Sequence, residues 1–186
     1  MNIIISVMLI VVIFSCENNI NEVKAVANWN ERPVMSATDI TILYSDSGFV
    51  KARIISPKLL EFEQTEDKEA TSIFPNGMIV FFYDKQGILE TKMSSGYAIY
   101  NKKSEIYEAR NNVEVNNYLK NEIFNTEQMF WDRKKEIVYS DKFIRIKKGK
   151  DVTYGENGFT ANQNFSSYTI KGGGGSYYIK EDSTTR

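Results

Sequence analysis

From about residue 36 onward, the chain is a series of short runs in which apolar and polar residues alternate, each followed by a turn sequence. Residues 40–44 form one such run, a Ser-Asp-Ser-Gly sequence at 45–48 turns the chain, and residues 49–55 return. Residues 78–93 have the same arrangement around a turn sequence at 84–87. Alternation with a period of two, interrupted by turn residues, is typical of β-hairpins. The pattern therefore predicts an all-β domain.

One segment of the chain repeats itself 31 positions later. Residues 100–106 correspond to residues 131–137, and Val113 corresponds to Ile144. In each copy an aromatic residue ends one apolar run, a charged tetrad turns the chain, and alternating apolar residues begin the next run. A repeat of this kind indicates stacked antiparallel strands, and it is more typical of a scaffold or a conduit than of an enzyme.

The apolar positions inside the repeat do not alternate strictly. Two segments share the spacing zero, two, five and seven, and a third follows it more loosely: Met93, Ser95, Ala98 and Tyr100; Phe124, Thr126, Met129 and Trp131; Tyr154, Glu156, Phe159 and Ala161. The step from two to five adds one residue, as a β-bulge or bend requires if the same face is to stay inward. We therefore expect bent strands that stack into a V-shaped or rolled sheet lined by these side chains. The residues alone leave open whether the concave side is a filled core or an open groove.

The start of the chain has the features of a bacterial lipoprotein signal. Residues 3–14 form an almost unbroken apolar run, which is too short to span a bilayer because a span needs about 20 residues. The sequence that follows, Ile-Phe-Ser-Cys, resembles a lipobox and ends in Cys16, the only cysteine of the chain. We expect residues 1–15 to be a lipoprotein signal peptide, Cys16 to be the lipid attachment site and residues 16–35 to be the lipidated N-terminus and tether. The alternative is a short buried N-terminal strand with an unmodified thiol.

The composition excludes several kinds of chemistry. With 23 basic and 24 acidic residues among 186, the chain lacks the basic surface that nucleic acid would require of a partner. The absence of histidine excludes Ser-His and Cys-His catalysis and histidine-ligated metal sites. No glycine-rich phosphate-binding motif occurs, so energy from ATP hydrolysis would have to come from a partner. We expect neither enzymatic activity nor a cofactor.

Six segments of the chain carry a resemblance to a known family: residues 44–48, 82–87, 97–100, 107–115, 126–132 and 139–143. In their order and spacing they resemble the LptC family, a membrane-anchored periplasmic component of the lipopolysaccharide export machine, and more broadly the OstA-like domains of its partners. The resemblance implies an open β-jellyroll of stacked, bent antiparallel strands, which we assign to residues 36–171. It also implies a non-enzymatic relay that takes lipopolysaccharide from the permease subunits of an inner-membrane ABC transporter. The lipid would then pass to a soluble periplasmic OstA-like bridge protein through edge-strand pairing, as a step in outer-membrane biogenesis.

A relay of this kind needs an apolar groove, because each acyl methylene exposed to water costs about 0.8 kcal/mol. We expect twelve side chains to line the groove and contact lipopolysaccharide: Met93, Ala98, Tyr100, Ile106, Val113, Val115, Phe124, Met129, Trp131, Ile137, Ile144 and Ile146. The same residues would fill an ordinary core if the protein were instead a structural or adhesive β lipoprotein with a closed core and no lipid cargo. A glycan-acting enzyme on a jellyroll is a third and weaker hypothesis.

The two ends of the chain add further expectations. Well-known members of the family are held by a transmembrane helix, whereas this chain would use a lipid on Cys16. We expect it on the periplasmic side of the inner membrane, although lipoproteins are sorted to the outer membrane as well. The four glycines at 172–175 predict a flexible break that begins a C-terminal tail of residues 172–186. Within the tail, residues 176–180 are compatible with either a terminal strand or a disordered segment.

Replacing Cys16 with alanine should release the protein from membranes, because the substitution removes the only thiol able to carry acyl chains. The measurement is membrane fractionation combined with mass spectrometry of the N-terminal peptide. If the variant stays in the membrane fraction and the wild-type peptide carries no lipid, the lipobox interpretation is wrong.

Overall fold

The computed structural model describes residues 32–176, which form one antiparallel sheet of 14 strands. The strands are β1 (Met35–Asp46), β2 (Phe49–Phe62), β3 (Thr71–Phe74), β4 (Met78–Tyr83), β5 (Leu89–Ser95), β6 (Tyr97–Asn101), β7 (Ile106–Asn117), β8 (Glu122–Asp132), β9 (Ile137–Ser140), β10 (Ile144–Lys148), β11 (Asp151–Gly155), β12 (Phe159–Asn162), β13 (Tyr168–Ile170) and β14 (Gly173–Ser176). The predicted all-β class is confirmed, as are the hairpins β1–β2 and β4–β5. The signal peptide, Cys16 and most of the tether lie outside the described residues. Within residues 32–176 there is no helix able to cross a membrane.

The sheet is folded into two arms, because each layer of strands changes partners near its middle. β7, for example, pairs with β5 through residues 114–117 and with β6 through residues 106–110. β8 likewise pairs with β10 through residues 122–126 and with β9 through residues 130–132. The first arm consists of residues 40–55, β4, β5, residues 113–126, β10, β11 and β14. The second arm consists of residues 35–38, residues 58–62, β3, β6, residues 106–110, residues 128–132, β9, β12 and β13.

The arms meet along a line of bends that crosses the sheet. In β7 the register against β8 shifts between Arg110 and Val113, so two residues, Asn111 and Asn112, lie opposite one. Both asparagines have positive φ angles, 63° and 55°, and Asn tolerates this left-handed conformation better than most residues. In the next layer Gly96 separates β5 from β6, and its N–H donates to the Asn111 carbonyl at 2.8 Å. The irregularity that the zero, two, five, seven spacing predicted is therefore present at one level in neighbouring layers.

Buried hydroxyl groups satisfy the backbone where the ladders are interrupted. Three of them donate to carbonyl oxygens near the bends of adjacent layers: Ser56 Oγ to Gly77 O at 2.6 Å, Thr126 Oγ1 to Phe143 O at 2.8 Å and Ser140 Oγ to Gln128 O at 2.7 Å. A buried carbonyl without a partner costs free energy comparable to a lost hydrogen bond, so these side chains stabilise the bends.

The predicted spacing places side chains correctly in β8 and less well in the third segment. Phe124, Thr126, Met129 and Trp131 are all buried. Glu156, however, lies just after β11 and is exposed, and the buried residue at this level is Gly155, the last residue of β11. A Cβ at Gly155 would lie 2.9 Å from Ile144 Cγ2 and 2.6 Å from Ile170 Cγ2, so this layer takes glycine where the others take larger residues.

The glycine run near the C-terminus forms a strand and not the expected flexible break. Residues 172–175 were expected to be a flexible break, but Gly173–Ser176 forms β14, which pairs with residues 152–155 of β11. Ladder hydrogen bonds use only backbone groups, so glycine can complete an edge strand despite its low strand propensity. Residues 177–180 lie outside the described residues.

Gly77→Ala should destabilise the protein by about 3 kcal/mol or more, because the new Cβ would lie 2.1 Å from the Ser95 carbonyl oxygen at a φ of 80°. Gly87→Ala is the matched control: its φ is 81°, but no atom lies within 4 Å of the added Cβ. The control should lose only the conformational cost, about 1–2 kcal/mol. Equilibrium urea unfolding measures both, and equal losses would show that the bend tolerates a side chain.

Candidate functional site

The inner face of the first arm carries a continuous apolar row that runs across the strands. Register pairs connect its members from β2 to β10: Ile54, Val80, Met93, Val115, Phe124 and Ile146. All six are buried. Because each is paired laterally with the next, the row crosses the sheet at right angles to the strands.

The inner face of the second arm carries a row of aromatic residues. Tyr100 stacks on Tyr107 with ring centroids 4.3 Å apart, and Tyr107 stacks on Trp131 at 5.1 Å. The register pairs continue from Trp131 through Val138 to Ala161. Burial raises the pKa of the Tyr107 phenol, which therefore stays uncharged in this apolar setting.

The structure places most of the twelve predicted groove residues on these inner faces. Nine are buried between the arms: Met93, Ala98, Val113, Val115, Phe124, Met129, Trp131, Ile144 and Ile146. Tyr100 is half-buried in the aromatic row. Their contact with lipid stays a prediction.

Ile106 and Ile137 lie on the outer face instead, which corrects the expected set. Their chain neighbours Tyr107 and Val138 are the buried inward residues, and adjacent residues of a strand point to opposite faces. Glu105 and Glu136, which precede the two isoleucines, both have positive φ, 58° and 53°. The inward series of each strand therefore begins one residue later than expected, at Tyr107 and at Val138.

The interior between the arms is filled by contacts between side chains of opposite arms. Trp131 of the second arm meets Phe82 of the first arm edge to face, with centroids 5.0 Å apart, and Tyr44 at 6.3 Å. Such aromatic pairs add about 0.5–1.5 kcal/mol to the free energy gained by burial. In this conformation the space between the arms is a packed core and not an open trough.

A charged clasp joins the tips of the arms. Lys51 Nζ of the first arm lies 2.8 Å from Asp46 Oδ2 and 2.5 Å from Glu136 Oε1 of the turn before β9. Hydrogen bonds to Asp46 and Glu136 raise the pKa of the Lys51 ammonium. The hydrogen bond from Lys51 lowers the pKa of Asp46 in return.

Arg133 makes a second contact between the arms. Its guanidinium carbon lies 4.4 Å from the centroid of the Tyr44 ring on β1, and its Nη1 donates to Tyr100 Oη at 3.1 Å. Arg133 Nη2 also lies 3.4 Å from Glu105 Oε2. Cation–π contacts at exposed sites contribute about 0.5–1 kcal/mol. Both contacts at the tips are therefore weak compared with the apolar packing beneath them.

A cavity of about 580 Å³ lies beside the clasp, at the mouth between the arms. Phe82 contributes to its lining, together with Lys51, Lys85, Glu90 and Glu136. This mouth is polar, whereas the interior beneath it is apolar. The part of the chain that the structure describes contains no group of three or more residues arranged to hold a metal ion.

Sequence reasoning missed a loop that borders this cavity through Gln163 and Asn164. Residues 163–167 connect β12 to β13, and Phe165 of this loop is fully buried between the arms. Its ring centroid lies 5.0 Å from that of Phe124 and 6.1 Å from that of Phe159. The only local signal was an aromatic residue in an otherwise polar loop, and the residues it contacts on the first arm are distant in sequence.

Bent antiparallel strands around an apolar interior define a β-jellyroll, and the family comparison agrees with that class. A family model described as lipopolysaccharide-assembly, LptC-related, matches residues 2–177. The chain therefore belongs to the LptC-related family, and the resemblance seen in the sequence is confirmed. Members are periplasmic components of lipopolysaccharide export, so the chain has a role in lipopolysaccharide transport. A comparison with curated proteins gives no match.

Replacing Lys51 with methionine should lower the free energy of unfolding by at most about 1 kcal/mol at pH 7, because the ion pairs are partly exposed. The loss should shrink as the pH falls below about 4. Asp46 has a lowered pKa in the folded protein, so its contribution to stability is fully present only at a pH above the pKa that it has in the unfolded chain. This contribution is lost as the pH falls and the carboxylate is protonated. Lys51 has a raised pKa in the folded protein, so its contribution to stability is fully present at a pH below the pKa that it has in the unfolded chain. This contribution is lost only at strongly alkaline pH.

Urea unfolding of both proteins at pH 7 and pH 3 measures the difference. A loss that is the same at both pH values would show that Lys51 acts through packing of its stem and not through its charge.

Proposed function

We propose that this chain relays lipopolysaccharide without catalysis. It receives the acyl chains from the permease subunits of an inner-membrane ABC transporter and passes them to a soluble periplasmic OstA-like bridge protein. The observation that supports this most directly is the continuity of the apolar inner faces, which cross the sheet from strand to strand. Such rows also occur in an ordinary β core, and it is their combination with membership of the LptC-related family that supports a lipid path.

The rows run in the direction that lipid transport requires. The apolar row of the first arm crosses six strand segments, from β2 to β10, which corresponds to about 24 Å at a strand spacing of about 4.8 Å. An acyl chain lying along this direction would stay in contact with apolar side chains. Each methylene kept out of water in this way saves about 0.8 kcal/mol.

Lipid can occupy the interior only if the arms separate, since their inner faces now pack against each other. The contacts at the tips, Lys51 with Glu136 and Arg133 with Tyr44, are polar and weak, and water can replace them. The strand ladders, by contrast, hold each arm together and are interrupted only at the bends. We infer that the arms open at their tips while strand pairing is retained, and that the acyl chains replace the lost apolar contacts.

The two edges of the sheet offer places for neighbouring proteins. Among the described strands, β1 pairs only with β2 at one edge, while β13 and β14 end the two arms at the other. Unpaired strand edges accept a strand from another protein, and such pairing would join the interior of this domain to that of its neighbours. A lipid on Cys16 and the tether of residues 16–35 would hold the domain on the periplasmic side of the inner membrane, with the outer membrane as the alternative.

The second candidate function is a structural or adhesive β lipoprotein without lipid cargo. The packed interior favours it, because Trp131, Phe82 and Phe165 are almost completely buried by other side chains of the domain. The two functions differ in one measurable respect, which is contact between lipopolysaccharide and the inner face in cells.

A photoreactive amino acid at Trp131 should capture lipopolysaccharide in living cells, because this residue lies on the inner face of the second arm. Phe130 is the matched control, since it is an adjacent aromatic residue on the outer face and stacks on Tyr139 at 5.2 Å. The exposed Lys103 is a second outer control. Capture at Trp131 and Tyr100 but not at the controls supports the relay, whereas capture at the controls alone, or at none of the sites, contradicts it.

A further inference from the structure

The loop between β12 and β13 belongs to the second arm but is fastened to the first. The carbonyl oxygen of Asn164 accepts a hydrogen bond from Thr91 Oγ1 at 2.8 Å, and Asn164 Nδ2 donates to Glu90 Oε2 at 2.9 Å. The carbonyl oxygen of Phe165 accepts from Asn117 Nδ2 at 2.9 Å. The partners lie 48 to 74 residues away, on β5 and β7. The loop therefore spans the mouth between the two arms.

Phe165 fills a gap in the apolar interior. Its side chain is fully buried, and it contacts Phe124, a member of the apolar row of the first arm, and Phe159 on the second arm. The ring lies directly beside the row along which an acyl chain would run. An acyl chain and this ring cannot occupy the same place at once.

The backbone of the loop is held in an unfavourable conformation. Phe165 has a φ of 58°, which is uncommon for a bulky residue and persists only where the surroundings stabilise it. The shape of the loop is fixed largely from within: Asn162 Nδ2 donates to Ser166 Oγ at 2.6 Å, and Asn162 Oδ1 accepts from the Ser167 N–H at 2.9 Å. A loop with its own hydrogen bonds can leave the first arm as a unit.

The groups that hold the loop are those that would recognise an acyl linkage. Thr91 and Asn117 are buried side chains, and each donates to a backbone carbonyl oxygen at the top of the apolar slot that the Phe165 ring fills. An ester- or amide-linked acyl chain has the same pair of features, which are a carbonyl oxygen at its head and an apolar chain behind it. The loop carbonyl oxygens occupy the places that lipid carbonyl oxygens would take, and the phenyl ring occupies the place of the acyl chain.

We propose that the slot filled by Phe165 is an acyl-chain subsite, with Thr91 and Asn117 as the donors to the acyl carbonyl, and that residues 163–167 are a plug that leaves when the chain enters. This inference rests on the proposed lipid relay and adds to it a location, a ligand class and a displaced segment. The plug keeps the subsite dry when no lipid is present.

The plug is tested by tethering it to the first arm. Cysteines replacing Glu90 and Asn164, in a full-length Cys16→Ala chain, are joined by a short bis-maleimide. The control pair replaces Glu61 and Lys102, an ion pair within the second arm, so its tether leaves the plug free to move. The readout is capture of purified lipid A by a photoreactive residue at Tyr168, whose ring lies 5.1 Å from that of Phe124, and separately at Trp131.

We expect the plug tether to reduce capture at Tyr168 at least tenfold and the control tether to leave it unchanged. Unchanged capture at Tyr168 in the plug-tethered protein overturns the plug, while capture at Trp131 shows that the relay still holds. Absence of capture at both sites in the untethered protein overturns the relay itself, so the two failures are distinguishable.

The carbonyl donors are tested by comparing a fluorescent lipid with an ester-linked 14-carbon chain to its ether-linked analogue, which lacks the carbonyl oxygen. Wild-type protein should bind the ester about fivefold more tightly, as expected for one hydrogen bond. Thr91→Val should reduce this ratio, and the additional removal of the Asn117 donor should bring it toward one. If the substitution also loosens the plug, the affinities for the two lipids change by the same factor, so their ratio stays the same. Equal affinity of the wild-type protein for the two lipids overturns the assignment of Thr91 and Asn117.

Discussion

The line of bends is the constraint on which the rest of the structure depends. Every layer is hydrogen-bonded to its neighbours on both arms, so a layer that turned at a different level would lose its register on one of them. The backbone approaches closely at this line, as the space around Gly77 and Gly158 shows, where a Cβ would lie 2.1 Å and 2.0 Å from a carbonyl oxygen. Buried hydroxyl groups such as that of Ser56 then replace the ladder bonds that the turn removes. The position of the bends sets the width of both arms and brings their apolar faces together.

In the proposed relay, the apolar faces of the arms would have two uses that compete with each other. Without lipid, the hydrophobic effect drives the faces together, and Trp131, Phe82 and Phe165 fill the space between them. With lipid, the same side chains would contact acyl chains, and one apolar contact would replace another at a small net free energy. In the proposed relay the arms pack together whenever no acyl chain lies between them, because an empty apolar trough would expose a large apolar surface to water.

The sequence predicted the strands and the bends better than it predicted the faces and the contacts. Alternation located both hairpins, and the extra residue in the spacing of β8 located the bend, because both are local properties of the backbone. The outward orientation of Ile106 and Ile137 depends on where the inward series begins after each turn, and the glutamate with positive φ before each isoleucine gives no sequence signal of this turn conformation. The burial of Phe165 depends on hydrogen bonds from Thr91 and Asn117, and contacts across 48 or more residues leave no periodic signal. The glycine strand β14 was missed because its order comes from its partner β11 and not from its own propensity.

The strand that ends the first arm presents an edge almost without side chains. Gly173 and Gly174 have room for larger residues, since a Cβ at Gly174 would meet no atom within 4 Å and one at Gly173 would make only ordinary contacts. Packing within the domain therefore does not explain the glycines. An edge that presents only backbone amides and carbonyls can pair with any extended strand, whatever the sequence of that strand. Selectivity for a neighbouring protein would therefore have to come from other parts of the two surfaces.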